Sequence, residues 1–83
     1  MKLLYFAWMR EKIGQAEENL SPPEDVVTVG GLVSWLRARS PGHAAAFAES
    51  RLVRCAVDQE FADMDAPLAG AAEVAFFPPV TGG

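Results

Sequence analysis

The sequence predicts an α+β domain in which a mixed sheet covers one main helix. Apolar runs at 3–9, 52–57 and 73–77 are rich in aromatic and β-branched residues and short enough to be strands. Between them, Val29, Leu32, Val33 and Leu36 recur at the spacing of one helix face. The resulting order is strand, strand, helix, strands, strand, which groups strands around a single long helix instead of alternating the two. Eighty-three residues leave room for one core, and a hydrophobic content of 51% is enough to fill it.

Taken in order, the first strand is expected to run from Leu3 to Met9, through Tyr5, Phe6 and Trp8, with no breaker. Residues 10–14 read as one helical turn closed by Gly14. Residues 17–20, mostly polar, form a weak second strand. Pro22 and Pro23 remove two backbone donors and mark 21–25 as a loop. Thr28 stands where the main helix needs an N-cap. Gly30 and Gly31 weaken that helix by up to about 1 kcal/mol each relative to Ala, and suit a first turn that packs closely. Ser40-Pro41-Gly42 is expected to end the helix, with a second short helix over 43–50. Residues 52–57 form a strand with Val53, Cys55 and Val57 on one face. Asp58-Gln59 suits a tight turn into a return strand, Glu60-Phe61-Ala62. Residues 63–72 are a loop, and 73–77 form the last strand, ended by Pro78.

Alternation along the strands places apolar bulk on both faces. If Leu3, Tyr5, Ala7 and Met9 face the helix, Leu4, Phe6 and Trp8 face away from it. Likewise Val74 and Phe76 share one face and leave Phe77 on the other. A domain this small has one helical layer to cover its sheet. The outer patch of Leu4, Phe6, Trp8, Phe61 and Phe77 is therefore expected to be a partner interface.

The chain offers little chemistry of its own. With 7 basic against 11 acidic residues the net charge is −4, unsuited to a phosphate-backbone binder and better matched to a basic protein surface. One histidine and one cysteine do not make a metal site or a disulfide framework, and a single cysteine fits a reducing compartment. His43, following Ser40-Pro41-Gly42, is expected in water; Cys55, in an apolar strand, is expected to be a buried inert thiol. The pairs Glu17-Glu18, Glu24-Asp25 and Asp63/Asp65 read as solvated faces. Seven apolar residues near the start are too few to span a bilayer, and no small-residue cleavage site follows, so no membrane role and a cytoplasmic location are expected.

The last residues are different. Pro78-Pro79 favours extended polyproline geometry, so Pro78, Pro79, Val80, Thr81, Gly82 and Gly83 reach about 18–20 Å beyond the sheet. Gly82 and Gly83 pass where a side chain would not. Such an end delivers an α-carboxylate, which becomes reactive once activated as an acyl-adenylate. The expected organisation is a folded domain over 1–77 and a flexible Gly-Gly tail over 78–83.

The segment "EVAFFPPVTGG" (73–83) resembles the C-terminal signature of the small subunits of molybdopterin synthase, ubiquitin-like β-grasp sulfur carriers. "LLYFAWMREKIG" is similar to that family's first strand and turn, "TVGGLVSWL" to its helix, and 57–83 to its third-strand-to-tail segment. Two departures are Ala71-Ala72, where the family often has acidic residues, and Asp58, where it often has Asn. The resemblance implies a β-grasp fold and no bound cofactor. It also implies adenylation of Gly83 by a ubiquitin-activator-like enzyme using ATP, then a Gly83 thiocarboxylate. Residues 78–82 would insert the tail into the large subunit, where the sulfur passes to cyclic pyranopterin monophosphate, and two such transfers build the dithiolene of molybdopterin. The implied assembly is a heterotetramer, with general acid-base groups on the large subunit and Gly83 as a carried co-substrate. Phe6, Phe61 and Phe77 match apolar contacts by position. Carriers for thiamin, cysteine or tRNA thiolation, and ubiquitin-like modifiers of protein lysines, share the activated end and are the alternatives.

Overall fold

Two alternating pairs, Leu3/Tyr5 and Val74/Phe76, fix where the core lies: all four side chains are at most 1% exposed. They belong to β1 (Lys2–Tyr5) and β5 (Glu73–Phe77), which run parallel side by side, Leu3 opposite Val74 and Tyr5 opposite Phe76. The computed structural model describes residues 1–79 and, at Ser50, the backbone alone. Within it the remaining strands are β2 (Glu17–Asn19), β3 (Arg54–Val57) and β4 (Glu60–Ala62), and the sheet order is β2-β1-β5-β3-β4. All neighbours other than β1/β5 are antiparallel.

The main helix, α2 (Val29–Arg37), lies on the inner face. Thr28 caps it, its hydroxyl accepting from the Gly31 N–H at 3.1 Å, and Val29, Leu32, Val33 and Leu36 are all buried. Burying four such side chains contributes roughly 1.5–3 kcal/mol each. Gly30 is where the first turn packs closely. Its N–H donates to the Met64 carbonyl at 2.9 Å, and a Cβ there would lie 3.2 Å from that same oxygen.

The run 3–9 does not stay extended. The strand stops at Tyr5, Phe6 serves as N-cap, Ala7 takes a φ of 55°, and α1 (Ala7–Ile13) follows, closed by Gly14 at φ 93°. Trp8 and Met9 are therefore helical. Met9 and Ile13, one turn apart, turn toward the core, so the same residues satisfy both a two-residue and a helical period. Ser40-Pro41-Gly42 starts a helix where the sequence suggests a stop. The main helix already ends at Arg37, Ser40 caps α3 (Pro41–Ala46), and Pro41 takes the first-turn position, where its missing N–H costs nothing. Between α3 and β3 a short 3₁₀ turn spans Ser50–Leu52, so Leu52 is not in the strand. Asp58 (φ 47°) and Gln59 (φ 71°) form the type I′ turn that a two-residue hairpin requires.

Candidate functional site

The outer face of the sheet is assembled by register. Leu4 sits between Glu17 and Ala75, Ala75 is opposite Ala56, and Ala56 is opposite Phe61. The two alanines make a low floor, with large rings standing at its margin. Phe77 and Phe61 meet there at 5.9 Å between centroids and a 58° tilt, and Phe61 is 87% exposed. Phe6 joins them because its N–H donates to the Phe76 carbonyl at 3.1 Å. That bond carries the β1/β5 ladder one step further and brings Phe6 level with Phe77. Phe6 remains 47% exposed. Leu4, Phe6, Phe61 and Phe77 are thus brought onto one side.

Trp8 is not on that face. It belongs to α1, packs against the core, and lines a cleft with Lys12, Ala45 and Leu52 on the helical side. The tail leaves from this aromatic margin: Pro78 and Pro79, both half-buried, follow Phe77 directly. Val80, Thr81, Gly82 and Gly83 lie outside the described residues.

A buried polar cluster went unread in the sequence. His43 is 4% exposed, not in water, and Glu18 is not on a solvated face. One Glu18 oxygen accepts from the Tyr5 hydroxyl at 2.7 Å and lies 2.8 Å from His43 Nε2. Ser40 Oγ is 2.7 Å from His43 Nδ1 and accepts the His43 backbone N–H at 3.1 Å. Burial alone would push the Glu18 carboxyl up. The hydrogen bonds from His43 and Tyr5, aided by the charges of His43 and Arg39, outweigh it and hold the group below its usual range. Burial first, then the Glu18 carboxylate, keep the Tyr5 phenol protonated far above its own range. The cluster ties edge strand β2 to α3, with Ser40 Oγ serving as the N-cap acceptor of α3. Glu18 turns inward because the β2 register sets it opposite Leu3, between exposed Glu17 and Asn19.

Cys55 is 2% exposed, and burial, then Asp63, raise its thiol, so it is no nucleophile. Among the described residues no group of three His, Cys, Asp or Glu side chains is placed to hold a metal ion, and no helix is long and apolar enough to cross a membrane.

Residues 3–83 match the ThiS family. The chain belongs to that family. It is 40% identical over 83 residues to the molybdopterin synthase sulfur carrier subunit of Escherichia coli (strain K12), covering 100% of this chain and 99% of that one. The Pyrococcus furiosus structure described as molybdopterin converting factor, subunit 1, superposes with a TM-score of 0.76 at 30% identity, over 95% of each chain. Small archaeal modifier protein 1 of Haloferax volcanii gives 0.69 at 27%, covering 96% of this chain and 97% of that one. The five-stranded mixed sheet on its helices is the ubiquitin-like β-grasp of these ThiS-like proteins.

Proposed function

We propose that this chain is the sulfur-carrier subunit of a molybdopterin synthase. The observation that carries the reading is the 40% identity, end to end, with the Escherichia coli sulfur carrier subunit. The outer aromatic face supports it, because the tail leaves from beside Phe6, Phe61 and Phe77, where a large subunit would be docked.

In this reading the Gly83 carboxylate attacks the α-phosphorus of ATP on an adenylating partner, giving an acyl-adenylate and releasing pyrophosphate. Hydrosulfide then attacks the acyl carbon, displaces AMP and leaves a thiocarboxylate. Docked on the large subunit, residues 78–82 carry that sulfur to cyclic pyranopterin monophosphate, and water restores the carboxylate. The protein stays non-catalytic by itself and works in the cytoplasm, with no resident cofactor. Mass spectrometry after incubation with activating enzyme, ATP and a sulfur source is expected to show one oxygen replaced by sulfur at Gly83. An unchanged mass would overturn the reading. Deletion of Gly83 is expected to abolish sulfur donation and leave the melting temperature unchanged, since Phe76 is the last core residue among those described.

The likeness to small archaeal modifier protein 1 favours a second reading, attachment of the same activated end to protein lysines. A ladder of conjugates on blots against this chain, dependent on Gly83, would establish it.

A further inference from the structure

β4 is an outer strand of the sheet, and among the described residues no strand pairs with its far side. Val57 and Glu60 close the two-residue turn as a hydrogen-bonded pair, and directly opposed pairs alternate in kind, so Ala56 and Phe61 form the non-bonded kind. Phe61 therefore directs its N–H and C=O away from β3, toward any strand laid alongside. Beside this edge, on the inner face, is a cleft of about 440 Å³ walled by Val57, Ala62 and Ala66 and rimmed by Asp58, Glu60 and Asp63.

Ion pairs among the described residues involve Glu17, Glu18 and Glu49, and none of the rim carboxylates. Asp58 is also tied by one oxygen to the N–H groups of Ala72 and Glu73, which fixes its position without cancelling its charge. An added strand alternates its side chains with the period of β4, one inward into the cleft and the next outward over Phe61. Apolar walls under an anionic rim fit a side chain with an aliphatic stem and a cationic head. A second copy of β4, Glu60-Phe61-Ala62, brings no cation and would set carboxylate against carboxylate. We propose that the open edge of β4 is a β-augmentation site for an extended segment of a partner protein that places a lysine or arginine side chain in this cleft.

The test is an amide-shift titration of the isotopically labelled full chain with a blocked peptide, Thr-Val-Lys-Val-Thr. Shifts are expected at Phe61, Ala62 and Ala66, with binding weakened about tenfold when norleucine replaces the lysine and again in the Glu60→Gln/Asp63→Asn double variant. The amide spectrum of that variant checks its fold, and Glu24→Gln/Asp25→Asn, with the same change of charge elsewhere, is expected to bind as the parent does. Equal binding of the lysine and norleucine peptides would overturn the proposal, as would absence of shifts at these amides. Movement of the same amides on concentrating the chain without peptide would overturn it in favour of self-association.

Discussion

Glu18 shows how one side chain holds two elements. It receives Tyr5 from β1 and faces His43 from α3, and among buried side-chain polar atoms of the described residues none lacks a partner. Because its folded-state pKa lies below the ordinary carboxylate value, its contribution is fully present above the unfolded value, about 4.3, and is lost as pH falls through the folded one. Glu18→Gln is therefore expected to reduce stability by about 1–3 kcal/mol at neutral pH and to flatten the acid limb of the stability curve. Urea denaturation across pH 3–7 checks both, the window spanning the unfolded carboxylate value. Gly42 makes a different local demand. A Cβ there would collide with the Lys12 carbonyl oxygen, backbone that cannot swing aside. Gly42→Ala is expected to cost about 1–3 kcal/mol by forcing α1 and α3 apart, despite alanine's better helix propensity, and a lowered urea midpoint is the readout.

At the scale of elements, the main helix was legible because cap, period and glycine placement agree. Thr28→Ala is expected to remove about 1 kcal/mol, measured by chemical denaturation, through loss of the bond to the Gly31 N–H. The β3–β4 hairpin and β5 were legible for similar reasons: turn residues bracket short apolar runs. The end of β1 was not, since seven apolar residues fit either period and packing against α3 decides for helix after Tyr5. That error put Trp8 on the wrong side. His43 and Glu18 were hidden for a related reason. Each is polar and flanked by loop-like residues, and burial came from long-range pairing of β2 with β1 and from α3, which local pattern does not show. Asp58 in place of the family's frequent Asn is harmless to the turn, because the bonds it accepts from Ala72 and Glu73 use an oxygen that both residues possess.

Across the whole molecule, two faces divide the labour. The inner face holds the core and the outer one displays Phe6, Phe61 and Phe77 around the tail's origin. Phe77→Ala is expected to weaken large-subunit binding by about 2 kcal/mol, roughly thirtyfold, because central aromatics carry most of an interface's energy. Calorimetry with the purified subunit reads this, and unchanged affinity would remove Phe77 from the interface. Stability is expected to change less than for a core phenylalanine such as Phe76, which stacks on Tyr5 and meets Phe47 edge-on at 4.9 Å.

The parallel pairing of β1 with β5 has a consequence for biogenesis. The last of the described strands to be synthesised occupies the middle of the sheet and separates the first from the third. Until residues 73–77 emerge from the ribosome, the β1–β2 and β3–β4 pairs lack the strand that lies between them in the sheet. A product cut short before Glu73 therefore lacks the sheet's centre, whereas one cut after Phe77 keeps it.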